Sequence, residues 1–352
     1  MSEQRAEPER TPPTDGDPSF IDMRDESAAT RARRADGARA SNVRELPKAA
    51  WVAIVQRTKL ELTEQHVALL AAGVAFRLLL ATVPAAVAAI SIWGLVADPD
   101  VLVEQIEAIA AQLPESGGQL VSEQLTNLTD QASGSLSTAL IISLATALWA
   151  ASSGMLGLVD GVAAAYGEGR SRSFLARRAL GLTMTVAGLL LAALTVVGSI
   201  VLPRIVDASG LEGLPASLAV AARWPVLAVF CALAIATVYR VGPDRRAPRV
   251  QWIWLGAIVA TTMWLVGSAG FSLYVSRFGD FDETYGSLAG VVIVMLWVFL
   301  STFALLFGAM LNGEVERQTT VDTTIGGDQP RGEREAAMAD AVPAEYEAQS
   351  LE

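Results

Sequence analysis

Histidine and cysteine, which supply most metal ligands and many nucleophiles, are almost absent from this sequence. The chain has one histidine, His66, and one cysteine, Cys231. A single cysteine cannot form a disulfide within the chain, and a lone histidine has no second imidazole or thiolate with which to share a metal. We therefore expect no metal and no cofactor, and we interpret Cys231 as small apolar filler.

The short motifs of common enzymes are also missing. The sequence contains no GxSxG, no HExxH, no phosphate-binding loop and no dinucleotide-binding fingerprint. A nuclease would need clustered carboxylates for metal ions and a basic channel for phosphates, and neither pattern is present. The sequence thus predicts a protein without enzymatic activity and without a nucleic-acid partner.

Charge is scarce and apolar residues are abundant. Charged residues make up 18% of the chain and hydrophobic residues 52%, whereas a soluble domain carries roughly 25% charged residues. Six apolar stretches account for the difference, and most reach the 20 or so residues with which a helix crosses about 30 Å of hydrocarbon. In lipid each segment must satisfy its own backbone hydrogen bonds, which favours helices. The predicted fold is all-α, a polytopic membrane helix bundle in which residues 43–317 form six transmembrane helices, at about 67–96, 136–164, 179–202, 224–239, 252–275 and 287–311.

Lysine and arginine are missing from one set of loops. Residues 98–137 contain seven acidic side chains and no Lys or Arg. The segment before the first span and the connections after the second and fourth spans are instead rich in basic residues, among them Arg177 and Arg178. The positive-inside rule then places both termini in the cytoplasm. An even number of spans agrees with that orientation.

The two ends of the chain contain few large apolar residues. Residues 1–42 and 318–352 are rich in polar residues, glycine and proline, so both are predicted to be disordered cytoplasmic tails. The first 36 residues have no apolar h-region, so we expect the first span to serve as an uncleaved insertion signal. Between the N-terminal tail and the first span, Leu46, Ala50 and Ile54 fall at helical spacing and predict an amphipathic helix on the inner membrane face.

The first outer loop, residues 98–135, is long enough to hold structure of its own. Leu102, Ile106 and Ile109 recur at helical spacing, and a second apolar stripe follows the break at Pro114. This pattern predicts an amphipathic helical hairpin between the first and second transmembrane helices. The hairpin is either a lid over a cavity or a connector that buries its apolar face on its neighbours.

Arg77 and Asp160 place charge inside apolar spans. Arg77 lies ten residues into the first span, about 15 Å of helix rise, and so near mid-depth, where a cation is tolerated chiefly when it faces protein or water. Asp160 lies toward the cytoplasmic end of the second span, within reach of a snorkelling guanidinium. The two form a candidate polar site that is either a site for an anionic group or a structural salt bridge. Pro84 is expected to kink the first helix.

Segments at both ends of the predicted bundle resemble the YihY/BrkB family. Residues 71–76 followed by Pro84 are similar to its first helix, residues 148–153 to its second, and residues 285–314 to its last. The likeness covers about residues 45–317, with departures at Met310, where the family usually has Glu, and at Arg77, where it often has an aromatic residue. The family-motif positions are Pro84, Trp149, Tyr285, Gly286, Gly290, Trp297, Gly308, Asn312 and Glu314.

The resemblance implies a multi-pass protein of the bacterial plasma (inner) membrane, from a family linked by name to virulence, once mislabelled as ribonuclease BN and suspected of envelope-lipid transport. We therefore expect the chain to handle or transport an amphipathic envelope molecule such as a phospholipid, with membrane lipids as its partners. The alternative is a non-transporting structural or scaffolding protein of the cell envelope, and an RNA-processing nuclease is the least favoured hypothesis. A homo-oligomer, or cytoplasmic partners bound through the tails, is also compatible with the sequence.

Overall fold

The computed structural model describes residues 39–96, 138–169, 172–208, 216–277 and 288–341. Regular structure in these ranges is helical, apart from an isolated antiparallel bridge between Pro248 and Thr324. A short 3-10 helix, Val43–Glu45, precedes the α-helices, which are α1 Lys48–Glu64, α2 Val67–Val96, α3 Thr138–Ala165, α4 Phe174–Ala208, α5 Ala216–Val241, α6 Val250–Arg277, α7 Ala289–Gln318 and α8 Ala337–Asp340.

Five of these helices are long and apolar enough to cross a membrane: α2, α3, α4, α6 and α7. Helix α5 contains a shorter apolar segment, Pro225–Val241, among the residues whose side chains the structure describes. The all-α bundle is confirmed. The predicted count of six spans is not met in full within the described ranges, since the fourth predicted span is this shorter segment.

Helix α7 is the central element of the bundle. It packs against α1, α2, α3, α6 and α8, and its residues Leu306, Ala309 and Met310 are fully buried in the largest apolar cluster. Met310, which stands where a carboxylate is usual in the resembled family, is thus a core residue here.

Helices α6 and α7 approach each other at a pair of glycines. A Cβ atom on Gly308 would lie 2.5 Å from the carbonyl oxygen of Gly256 and 2.8 Å from the Cβ atom of Ala260. No real side chain tolerates such distances, so the two backbones meet only because both residues lack a Cβ.

We call one end of the bundle the basic end; it consists of α1 and residues 166–169, 242–249 and 319–341. Helix α1 forms where an amphipathic helix was predicted. Its residues Ala50 and Ile54 are buried against Trp252, Leu311 and Val315, so this apolar stripe contacts protein and not the membrane surface.

Residues 319–341 are folded against the bundle, which corrects the prediction of a disordered tail from residue 318 onward. Thr319, Asp322 and Arg334 are buried, and Arg334 donates hydrogen bonds to the carbonyl oxygens of Gln329 at 3.1 Å and Ala339 at 3.0 Å, and to that of Thr320. Low hydrophobicity predicted disorder, but here a buried guanidinium satisfies backbone groups and orders a polar segment. Residues 1–38 and 342–352 of the predicted tails lie outside the described residues.

Candidate functional site on the third helix

Polar groups of the spans gather along one stripe of α3. Trp149, Ser153, Gly157 and Asp160 recur every three or four residues and therefore share a helix face. Arginines from the two neighbouring helices reach this stripe from either side. We call the following group the arginine cluster: Arg77 of α2, Asp160 of α3, and Arg177 and Arg178 of α4.

The structure brings Arg77 and Asp160 together. An Nη atom of Arg77 lies 3.6 Å from Oδ2 of Asp160, and Arg177 donates a hydrogen bond to the same oxygen. The side chain of Arg77 is 57% exposed and that of Asp160 13%. Gly157 makes room for the aliphatic stem of Arg77, because a Cβ atom there would lie 2.9 Å from its Cδ atom.

The ion pair of Arg77 with Asp160 lies toward the basic end, where the sequence placed Asp160. Asp160 precedes the end of α3 at Ala165 by five residues, about 7.5 Å of helix rise. The backbone of Arg77 is level with Gly157, and its long side chain turns toward the basic end to reach the carboxylate, as snorkelling arginines do.

Arg178 occupies the deeper position instead. It donates to the carbonyl oxygen of Trp149 at 2.7 Å and to Oγ of Ser153 at 3.2 Å, and its guanidinium lies 3.7 Å from the centre of the Trp149 ring. Ser153 precedes Ala165 by twelve residues, which is about 18 Å of helix rise. Arg178 thus contacts α3 at Ser153, seven residues farther from the end of the helix than Asp160.

The sequence prediction missed Arg178 because both arginines of the pair were assigned to a loop. Helix α4 begins at Phe174, so Arg177 and Arg178 lie in the first turns of a span. The signal was available: Phe174 and Leu175, two large apolar residues, precede the arginines and are exposed as lipid-facing side chains are.

Positive charge exceeds negative charge in the arginine cluster. Asp160 is shared by Arg77 and Arg177, whereas Arg178 has no carboxylate partner among the described residues. The Nε atoms of Arg177 and Arg178 are buried and make no hydrogen bond within the same part of the chain. Three guanidinium groups against one carboxylate give a group suited to an anion, since guanidinium binds phosphate or carboxylate through paired donors.

An apolar cavity of about 580 Å³ lies on the other side of α3. Its lining on α3 consists of Ala151, Met155 and Leu158, each offset by two residues from the polar stripe. Two residues turn a helix by about 200°, so these side chains point away from the arginine cluster. The guanidinium groups thus lie outside this cavity. The remaining walls come from α2, α4 and α7, with Ala85, Leu189 and Thr302 among the lining residues.

Comparison with known proteins places the chain in a family. Residues 59–333 match the family described as Virulence factor BrkB. The chain belongs to this family. It is 31% identical over 211 residues to the "Putative ribonuclease-like protein YfkH" of Bacillus subtilis, covering 58% of this chain and 74% of that protein. It is 46% identical over 77 residues to a UPF0761 membrane protein of Alteromonas mediterranea, covering 22% of this chain and 26% of that protein. No solved structure matches the chain.

Membership in the BrkB family and the apolar helices together establish a multi-pass bacterial membrane protein. The match also extends beyond residue 317, where the resemblance was predicted to end, into the folded segment 319–341.

Two family-motif positions of this BrkB protein, Asn312 and Glu314, form hydrogen bonds between helices near the basic end. The side chain of Asn312 accepts a hydrogen bond from the amide of Gly256 at 2.7 Å and donates to the carbonyl oxygen of Ile253 at 3.0 Å and to the hydroxyl of Tyr166 at 3.2 Å. It thereby joins α6, α7 and the end of α3. Glu314 is fully buried and accepts a hydrogen bond from Arg57 of α1 at 2.6 Å.

The other motif positions are more varied. Pro84 lies inside α2, and Gly290 lies in the first turn of α7. The indole of Trp297 donates to Ser268 of α6 at 3.1 Å. Tyr285 and Gly286, like the predicted hairpin 98–135, lie outside the described residues.

A second buried ion pair joins Arg245 and Glu316 at 2.8 Å, with both side chains fully buried. Burial is the largest single effect and would lower the pKa of Arg245, but the charge and hydrogen bond of Glu316, together with the nearby Tyr166 and Glu168, outweigh it and the pKa is raised. Burial raises the pKa of Glu168, whose carboxylate lies 4.0 Å from Arg245. Neither this pair nor that of Arg57 with Glu314 was predicted, because the partners lie far apart in sequence.

Proposed function

We propose that this BrkB family protein binds anionic phospholipids of the bacterial inner membrane and handles or transports them, without catalysing a reaction. The observation that supports the proposal is the charge imbalance of the arginine cluster within the spans. A cation near the centre of a bilayer costs about 2.5–3.5 kcal/mol on insertion scales, and a phosphate as counter-ion offsets that cost through charge-assisted hydrogen bonds.

Access to the cluster supports the same proposal. The side chain of Arg77 is more than half exposed, and residue Trp149 is 50% exposed. These groups lie on the outer surface of the bundle, within its apolar spans, so that a phospholipid could reach them sideways from the bilayer. If the basic end faces the cytoplasm, as the positive-inside rule predicts, the shallow pair at Asp160 lies near the inner leaflet.

A structural or scaffolding role is the second candidate. It is favoured by the position of the cavity, which lies on the face of α3 opposite the arginine cluster, so that the described residues form no polar chamber across the bundle. A nuclease is the weakest candidate, and the ribonuclease-like name belongs to the Bacillus relative. Glu314 and Glu316 here are buried in ion pairs with arginines and are not arranged around an open site.

The test is the lipid content of the purified protein. Phospholipids that co-purify with the parent and with Arg77→Leu are identified by mass spectrometry, with Arg240→Leu as the matched control, because Arg240 is an exposed arginine at the end of α5. We expect Arg77→Leu to lose bound anionic lipid by about tenfold, as removal of a charged hydrogen bond predicts, and Arg77→Lys to retain part of it. Equal amounts of anionic lipid in the parent and Arg77→Leu would reject the proposal.

A further inference from the structure

We infer that Arg178, Trp149 and Ser153 form a second, deeper phosphate subsite, and that headgroups of monoanionic phospholipids move along the membrane-facing stripe of α3 and not through the cavity. This inference rests on the proposed function and adds to it a route and a substrate class.

The stripe has the shape of a shallow track. Its two charged positions, at Asp160 and at Ser153, are seven residues apart, about 10.5 Å along α3. Gly157 lies between them, and the aliphatic stem of Arg77 packs on it. Helices α2 and α4 pack on α3, yet Ser153 and Trp149 remain exposed. A headgroup passes from one position to the other when the exposed side chain of Arg77 swings off Gly157, without any helix moving apart, while its acyl chains stay in the lipid.

The chemistry of the deep position calls for an anion. Every hydrogen-bond partner of Arg178 among the described residues is neutral: a backbone carbonyl and a serine hydroxyl. The Trp149 ring stabilises the guanidinium through its face but does not neutralise it. Arg178 is only 8% exposed, so a phosphodiester reaches it beside the exposed Trp149 and Ser153, supplies the missing charge and accepts hydrogens from its Nη atoms.

The charges of the two positions match. Within the arginine cluster, Arg77 and Arg177 share Asp160 at the shallow position and Arg178 stands alone at the deep position, so the cluster residues at each position sum to one positive charge. A monoanionic phosphodiester therefore meets the same net charge at both positions and is trapped at neither. A zwitterionic headgroup brings an ammonium that finds a carboxylate only at the shallow position, so the deep position selects against it.

The experiment compares two routes in the full-length protein reconstituted in phosphatidylcholine liposomes. Fluorescent phosphatidylglycerol and phosphatidylethanolamine report translocation through dithionite quenching. Arg178→Leu removes the deep charge, and Arg178→Gln removes it while keeping amide donors for Trp149 and Ser153. Ser153→Phe obstructs the stripe, Ala85→Phe places an aromatic ring in the cavity, and Arg240→Leu is the control.

We expect the parent to translocate phosphatidylglycerol faster than phosphatidylethanolamine. Arg178→Leu, Arg178→Gln and Ser153→Phe should slow phosphatidylglycerol about tenfold or more, while Ala85→Phe and Arg240→Leu should stay near the parental rate. Because Arg178→Gln retains the hydrogen-bonding capacity of the site, it serves as the folded test variant if Arg178→Leu does not fold.

Opposite outcomes separate the two claims. Parental rates in Arg178→Gln and Ser153→Phe, or loss of translocation in Ala85→Phe alone, overturn the route while the Arg77-dependent lipid binding stands. If the parent neither binds anionic lipid nor translocates it, the proposed function itself is wrong.

Discussion

At the scale of single residues, the role of an arginine depends on the groups that surround its guanidinium. Arg334 is surrounded by carbonyl oxygens and orders a loop. Arg57 and Arg245 each neutralise a buried glutamate. Arg178 lies within a span with neutral partners, and this difference in surroundings is the reason to assign it a ligand.

The contact of Gly308 with Gly256 gives a prediction at this scale. Gly308→Ala should lower stability by about 1–3 kcal/mol, because the added methyl group would meet the rigid backbone of α6. Gly267→Ala is the matched control, since a Cβ at residue 267 has nothing within 4 Å. It should be neutral or stabilise by up to about 1 kcal/mol through helix propensity. Melting temperatures in detergent measure both, and equal values for the two variants would show that the glycine contact is not tight.

Sequence reasoning found half of the candidate site at the residue scale. Arg77 and Asp160 stand out because charge within an apolar run is visible in one dimension. Arg178 did not, since its importance depends on where α4 begins and on which way a long side chain turns.

At the scale of elements, α7 shows how one helix serves two environments. Its apolar half packs on α6 and α2, and its last two turns bury Glu314 and Glu316 against arginines from α1 and from the connection between α5 and α6. The segment 319–341 then continues from α7 and closes the basic end. Its carbonyl oxygens accept hydrogen bonds from Arg246 and Arg249, which lie in the connection between α5 and α6.

Acid should release the segment 319–341. Burial raises the pKa of Asp322, but hydrogen bonds from the amides of Thr324 and Gln329 and the charge of Arg334 outweigh it, so that the pKa lies below the usual 3.8. The folded segment favours the ionised form. The carboxylate therefore contributes its full stability above pH 3.8 and loses it as the pH falls through the lowered pKa.

A spin label at Glu333→Cys, in a Cys231→Ala background, measures this release as increased mobility. Asp322→Asn should free the label at neutral pH, with a loss of about 1–3 kcal/mol from hydrogen bonds to a charged group, and should remove the acid dependence. Asp328→Asn is the control, because the side chain of Asp328 is 81% exposed and exposed ion pairs contribute little. A label that stays immobile in Asp322→Asn contradicts the role given to Asp322.

At the scale of the whole molecule, orientation decides which leaflet meets which part of the arginine cluster. Cysteines introduced at Ser116 and Ser133 should react with a membrane-impermeant reagent in intact cells, as the acidic loop predicts. Cysteines at Ser173, exposed directly before α4, and at Asp328, exposed at the basic end, should react only after permeabilisation. The reverse pattern would invert the bundle and place the shallow subsite in the outer leaflet.

Hydropathy alone was enough to establish helices and a membrane, because lipid offers the backbone no hydrogen-bond partners and helices satisfy their own. The same local argument failed for residues 319–341, whose order comes from contacts with residues far away in sequence. The predicted fourth span, at about 224–239, lies within the 26-residue helix α5, which continues through Pro225.

Which polar side chains meet was settled by helix rotation and register, which no one-dimensional pattern contains. Arg57 and Glu314 are 257 residues apart, and their pairing requires α1 to dock on α7. The arginine cluster and the cavity lie on opposite faces of α3 because a two-residue offset turns the helix by about 200°. The sequence alone therefore shows which segments are apolar enough for lipid, whereas packing between helices decides which charged side chains pair.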